Sequence, residues 1–70
     1  MLHDEILTIQ ELASLLKMSR SQVYDLTRRR AQLRNEIPLP VLRINSNLRF
    51  RKSDVDAWLE RLADQGRSAA

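Results

Sequence analysis

Arginine is the residue type whose number and spacing in this 70-residue chain could do chemistry. The stretch from Lys17 to Lys52 holds ten basic residues against two acidic ones, a net +8, while the remainder of the chain carries −5. A guanidinium group presents a planar fork of donors that fits phosphate oxygens or the edge of guanine. Charge alone fits a solvated basic face as well as a surface for a polyanion. The position of each arginine on the predicted helices and strands decides between these two interpretations.

Other reactive groups are scarce. The chain has no cysteine, so disulfides, thiolate zinc sites and a cysteine nucleophile are excluded. The one histidine, His3, lies near the terminus, and no pair of carboxylates falls in an apolar setting that would shift a pKa. No glycine-rich phosphate loop is present. We therefore expect neither an enzyme nor a metal or cofactor site.

The length predicts a single domain with a small core. We expect order over about residues 7–63 and fraying at both ends. No apolar run approaches the roughly 18 residues of a membrane span, and the first ten residues lack the basic residues of a signal peptide. These features favour an intracellular protein with no membrane partner.

Two capping boxes predict two short helices. Thr8 with Glu11 precedes an apolar stripe over residues 9–16, and Ser19 with Gln22 restarts a helix at about residue 20. The second helix is expected to end near residue 31. Two helices joined by so short a turn indicate a helix-turn-helix.

Two prolines then stop helical structure, and a β-hairpin follows. Residues 42–44 and 48–51 alternate apolar and basic side chains, with a predicted three-residue loop at 45–47. The predicted inner face consists of Leu42, Ile44, Leu48 and Phe50. The predicted outer face consists of Arg43, Arg49 and Arg51.

Ser53 is expected to cap a third helix, with Asp54 and Asp56 in its first turn. Three short helices with a two-stranded wing between the second and third make an α+β winged helix-turn-helix. Its predicted core consists of Ile9, Leu12, Leu16, Val23, Leu26, Leu42, Ile44, Phe50, Val55, Trp58 and Leu59.

Five segments in this order resemble the small winged helix-turn-helix proteins of the excisionase and AlpA type, which are related to the DNA-binding domain of MerR-like regulators. The segments are Leu7–Ala13, Met18–Tyr24, Ile37–Val41, Leu48–Arg51 and Ser53–Leu59. Two features depart from the family pattern. Lys17 stands in the turn where the family usually has glycine, which predicts a strained or altered turn. The segment 31–36 is long and fits either an extension of the second helix or a loop.

The resemblance implies double-stranded DNA as partner, with the second helix in the major groove and the wing on the backbone or minor groove. It implies an excisionase of a mobile element such as a prophage, working with an integrase in DNA recombination, in the bacterial cytoplasm and on the nucleoid when bound. The alternatives are an AlpA-like transcriptional regulator and, from another class, a protein-interaction adaptor. Without a long heptad pattern we expect monomers that bind side by side on repeated sites.

The candidate DNA-binding residues lie on the exposed side of the second helix and on the wing. They are Ser19, Arg20, Ser21, Gln22, Tyr24, Arg28, Arg29, Arg30, Arg43, Asn45, Ser46, Asn47, Arg49 and Arg51. Arg20 is expected to contact a base or a phosphate, because the N-terminal part of a recognition helix meets base edges. Gln22 is expected either in the capping box or on DNA, and Tyr24 on a phosphate or at the core edge.

The three consecutive arginines 28–30 are expected to clamp phosphates, or in part to be solvated, with Asp25 orienting one of them. The wing arginines would repel one another without an anion nearby, which favours a phosphate or narrow minor-groove contact. The wing tip, residues 45–47, is expected to reach the groove floor.

Overall fold

A computed structural model of the chain describes residues 4–68, with side chains described as far as residue 66. His3 lies outside this range, as do the other residues at 1–3 and 69–70, for which fraying was expected. Residues 64–68, which were expected to fray as well, form the end of the last helix. The elements, in chain order, are β1 Ile6–Leu7, α1 Ile9–Leu16, α2 Arg20–Thr27, α3 Arg29–Arg34, β2 Leu42–Ile44, β3 Asn47–Arg51 and α4 Lys52–Ser68. The predicted α+β winged helix-turn-helix is confirmed, with one more helix and one more strand than expected.

Both predicted capping boxes are present. Thr8 Oγ1 accepts from the Glu11 backbone N–H at 3.1 Å while Glu11 Oε1 accepts from the Thr8 N–H at 2.9 Å. The Ser19 box has the same two bonds, with Gln22 at its third helical position. Each box satisfies two backbone donors that the start of a helix leaves open. These local bonds fix where α1 and α2 begin.

Lys17 adopts the left-handed conformation that glycine usually supplies at the end of a helix, with φ 57° and ψ 44°. Its N–H donates to Ser14 O at 3.2 Å, and the Met18 N–H donates to Ala13 O at 2.9 Å. This pair of bonds is the Schellman motif. The turn therefore keeps its short form, at some steric cost from the lysine Cβ.

The second helix is interrupted earlier than expected. It ends at Thr27, Arg28 is extended, and the separate helix α3 follows at once. The Thr27 hydroxyl donates to Tyr24 O at 2.7 Å, and the Arg28 N–H donates to Asp25 O at 3.4 Å. The prediction of one helix reaching residue 31 is therefore wrong. The long segment at 31–36 is divided between α3 and an extended linker.

The wing belongs to a three-stranded antiparallel sheet in the order β1–β3–β2. The unpredicted strand β1 pairs Ile6 with Arg51 and Leu7 with Phe50. A two-residue strand carries too weak a periodicity to be recognised in sequence. Its pairing puts β3 in the centre of the sheet.

The predicted faces of the wing are wrong, because the hairpin turn has two residues and not three. Leu42 pairs with Arg49, Arg43 with Leu48, and Ile44 with Asn47. Directly paired residues share a face, so a change of one residue in register moves every side chain of β2 to the opposite face. Arg43 therefore lies on the face of Leu48 and Phe50, while Arg49 and Arg51 lie on the face of Leu42 and Ile44. Asn45 has the left-handed φ of 58° that this turn requires.

Helix α4 begins directly after β3, with no residue between Arg51 and Lys52. Asp4, not Ser53, caps it: Asp4 Oδ1 accepts from the Ser53 N–H at 3.1 Å and Oδ2 from the Ser53 hydroxyl at 2.6 Å. The Lys52 N–H donates to Glu5 O at 2.9 Å. The predicted cap by Ser53 is wrong because a carboxylate from a distant part of the chain takes that role.

The core lies between the sheet and the helices and is formed by Leu7, Leu12, Ala13, Val23, Leu39, Phe50, Val55 and Trp58. Five of these were predicted from helical and strand periodicity, and Ile9, Leu16 and Leu26 pack against them. Leu42 is half-buried. Ile44 and Leu59 were predicted wrongly, since they are 51 % and 38 % exposed. The indole N–H of Trp58 donates to Ile37 O at 3.0 Å and ties α4 to the linker before the wing. No helix in the described part of the chain is long and apolar enough to cross a bilayer.

Candidate nucleic-acid interface

Helix α2 turns its apolar residues inward and its polar residues outward. Val23 is fully buried and Leu26 is half-buried, so the other face carries the exposed side chains of Arg20, Ser21 and Tyr24. The capping box at Ser19 presents Arg20 and Ser21 in the first turn of α2. In a recognition helix this turn meets base edges and phosphates. The side-chain oxygen of Gln22 is occupied by the capping box, the first of the two roles expected for it.

A groove of about 410 Å³ runs between α2, the wing and the first turn of α1. Its lining residues are Thr8, Ile9, Gln10, Arg20, Tyr24, Ser46, Asn47, Leu48 and Arg49. The groove brings together Arg20 and Tyr24 from α2 with Ser46, Asn47 and Arg49 from the wing. Two guanidinium-bearing side chains from distant parts of the sequence thus share one open surface. A polyanion in this groove could be bound from both sides.

Tyr24 is 46 % exposed and lines the groove. Of the two roles expected for it, packing at the core edge and hydrogen bonding to a phosphate, the exposed position favours the second. A phenolic hydroxyl beside Arg20 offers a donor to a phosphate oxygen.

Arg49 is half-buried and is held in place at the side of the groove. Its Nη1 donates to Leu48 O at 2.7 Å. The Thr8 backbone and hydroxyl bonds hold the pKa of Glu11 below its ordinary value, and the positive charge of Arg49 lowers that pKa further. The carboxylate of Glu11 is therefore ionised near neutral pH.

The three consecutive arginines 28–30 lie at the break between α2 and α3, and all are exposed. Arg28 Nε lies 3.3 Å from Asp25 Oδ1, so Asp25 orients Arg28. Both side chains of this pair are more than two-thirds exposed, and such pairs add little to stability. The pair therefore leaves the Arg28 guanidinium accessible to a phosphate.

Arg51 does not line the groove and has two acidic partners within the fold. Its Nε lies 2.9 Å from Asp4 Oδ2 and its Nη1 lies 3.9 Å from Asp54 Oδ2. The hydrogen bond to Asp4 raises the pKa of Arg51 above its ordinary value. The charge of Arg51 is therefore compensated by two carboxylates within the fold.

Arg43 also has a partner within the fold, since its Nη2 donates to Thr27 O at 3.3 Å. The three wing arginines thus have three different surroundings. Only Arg49 lines the groove, Arg43 reaches the end of α2, and Arg51 is paired at the start of α4.

The groove also contains four residues that sequence reasoning did not single out as contacts, namely Thr8, Ile9, Gln10 and Leu48. Gln10 was recognisable as a polar residue in the first turn of α1, off the stripe that faces the core. Its position beside α2 depends on the turn at Lys17. Among residues 4–66, no group of histidine and carboxylate side chains could hold a metal ion.

Comparison with known families identifies the fold of this chain. A family model described as a helix-turn-helix domain, of the kind found in excisionase-like and AlpA-like proteins, matches residues 6–63. That range runs from β1 into α4 and includes the whole groove. No curated protein and no solved structure matched the chain.

Proposed function

The chain belongs to the helix-turn-helix domain family, and from that premise we propose that it binds double-stranded DNA with α2 in the major groove. The β2–β3 wing then lies against the adjacent backbone or minor groove. One observation carries the proposal: Arg20 and Tyr24 of α2 and Arg49 of β3 line the same groove. This arrangement lets one duplex meet the helix and the wing together.

The roles divide by position. Arg20, at the start of α2, contacts the edge of a base, and Ser21 lies beside it. Tyr24, Arg28 and Arg49 contact phosphates and set the position of the protein on the duplex. Arg29 and Arg30 extend the basic surface past the end of α2. The tip residues Ser46 and Asn47 supply hydrogen bonds near the groove floor.

For the biological role we propose an excisionase of a mobile element, a non-enzymatic protein that bends DNA and favours excision by an integrase. The resemblance of the segments Met18–Tyr24 and Ser53–Leu59 to that class supports this role. One module of this kind covers roughly 600–1,000 Å² on DNA. We therefore propose monomers in solution that bind side by side on repeated sites, with the integrase as a protein partner.

Selection of binding sites from a random pool of duplexes, followed by footprinting and a bend measurement, tests the proposal. We expect a repeated site, protection in both grooves and a bent duplex. A site beside an integrase attachment sequence supports the excisionase. A site across the promoter of its own gene, with no effect on excision, supports an AlpA-like regulator in its place.

A gel-shift assay against random-sequence DNA at low and moderate salt tests DNA binding itself. Electrostatic binding gives a shift at low salt that weakens as salt rises. No shift under either condition would leave the basic groove without its proposed ligand and would favour a protein-interaction adaptor.

A further inference from the structure

Gln32 joins three parts of the fold through one amide group. Its Nε2 donates to Leu26 O, near the end of α2, at 2.8 Å and to Leu39 O, in the linker that leads to the wing, at 3.0 Å. A glutamine amide nitrogen has two hydrogens, so both are used. Leu39 itself is buried between two prolines. The linker is therefore anchored at this carbonyl and has little freedom to move.

Arg43 makes a second connection between the same two regions. Its guanidinium on β2 donates to the carbonyl of Thr27, the last residue of α2, at 3.3 Å. Thr27 is buried, and its hydroxyl is bonded to Tyr24 O. The bond thus runs from the wing to the helical turn that carries Tyr24.

The two connections meet adjacent carbonyl groups at the end of a helix. The last turn of a helix leaves its carbonyl oxygens without partners, and a positive group near them is favourable. Here Gln32 donates to the carbonyl of Leu26, and Arg43 donates to the carbonyl of Thr27. One side chain from α3 and one from β2 therefore supply hydrogen bonds to two of the carbonyl groups in the last turn of α2.

We propose that Gln32 and Arg43 are positioning residues that fix the distance and angle between α2 and the wing. Both elements then meet a duplex without a prior rearrangement, which lowers the entropic cost of binding. In this role Arg43 acts through α2 and not through a phosphate. The inference rests on the proposed DNA binding but concerns the geometry of the free protein.

The first test uses the free protein. We expect NMR residual dipolar couplings of α2 and of the wing to fit one fixed relative orientation in the wild type. Gln32→Glu keeps the size of the side chain and removes the amide donors, and Arg43→Lys keeps the charge but shortens the reach. Both variants should show a changed or averaged orientation while circular dichroism shows a folded protein. Wild-type orientation in both variants would overturn the inference, and Arg43→Lys tests it alone if Gln32→Glu does not fold.

The second test uses the duplex selected by the wild type. Gln32→Glu should bind this duplex about tenfold more weakly, which is the effect of losing a hydrogen bond or two. In a footprint, the part of the duplex that the wing covers should be less protected, while the part that α2 covers should stay protected. Leu33→Glu is the matched control, because it adds the same charge to α3 at a side chain that is 77 % exposed. It should keep both protected regions.

The salt dependence separates positioning from phosphate binding. Arg43→Lys should weaken binding with an unchanged salt slope. If Arg43→Ala lowers the slope by about one and keeps the wing protection, Arg43 is a phosphate contact and the inference fails. If the wild type binds no duplex, the proposed function fails, while the couplings in the free protein still decide the positioning role.

Discussion

Asp4 and Ser53, which lie 49 positions apart in the chain, are joined by two hydrogen bonds through one carboxylate. The same carboxylate forms an ion pair with Arg51 on β3. Asp4 therefore holds together the segment before β1, the end of the central strand and the start of α4. None of these three places lies in the candidate interface, so this cluster can be changed without touching the groove.

We predict that Asp4→Asn lowers the melting temperature and flattens its dependence on pH. The bonds from Ser53 hold the pKa of Asp4 below its ordinary value of 3.8. A lowered pKa means that the stabilising effect is complete above about pH 3.8 and is lost as the pH falls through the lower value in the folded state. Thermal unfolding followed by circular dichroism between neutral and strongly acidic pH measures this.

Glu11→Gln is the companion variant, since the pKa of Glu11 is lowered by its own capping box. Each variant should remove part of the acid-dependent loss of stability. An equal loss in the wild type and in Asp4→Asn would show that the carboxylate of Asp4 does not stabilise the fold.

We predict that Arg49→Ala weakens binding to all duplexes and lowers the salt slope by about one, because one phosphate contact is removed. A salt titration of binding affinity measures the slope. Arg61→Ala is the control: it removes the same charge from an exposed position on α4 outside the groove. An equal change of slope in both variants would assign the effect to net charge alone.

We predict that Arg20→Ala relaxes the preference for one base pair. A bidentate contact between arginine and guanine discriminates by about 1–3 kcal/mol. Site selection with the variant should give a consensus that differs from the wild type at that position. An unchanged consensus together with a lower salt slope would make Arg20 a phosphate contact, the other role expected for it.

We predict that Lys17→Gly stabilises the protein by about 0.5–1 kcal/mol, since glycine adopts the left-handed conformation without the clash of a Cβ atom. For a domain of this size that gain raises the melting temperature by several degrees. Lys17→Ala keeps the Cβ and removes the charge, and it should melt close to the wild type. A rise in Lys17→Ala equal to that in Lys17→Gly would attribute the gain to charge and not to backbone strain.

The parts of the fold that follow from neighbouring residues could be predicted from sequence. The capping boxes at Thr8 and Ser19 involve residues three apart, so their bonds are determined locally. Buried positions such as Leu12, Val23 and Trp58 follow from helical periodicity.

Features that depend on distant residues could not be predicted in the same way. The wing register depends on whether Asn47 belongs to the turn or to β3, and alternating residues on both sides fit either choice. The carboxylate of Asp4 reaches α4 only because β1 joins the sheet beside β3. The early end of α2 depends in part on the side chain of Gln32, which donates a hydrogen bond to Leu26 O, six residues earlier in the chain.

The candidate site followed the same division. Arg20 of α2 and the three arginines that follow this helix were recognised from composition and spacing. The three wing arginines were assigned one face and turn out to have three surroundings. A shift of one residue in the hairpin accounts for the position of Arg43.

The direct passage from β3 into α4 has a mechanical consequence. With no loop to absorb a rotation, a tilt of the wing must carry the axis of the helix with it, and a rod of 17 residues is about 25 Å long. A tilt of a few degrees at Arg51 therefore displaces the far end of α4 by about an ångström or more. A substitution that changes the angle of the wing should therefore also displace the far end of α4.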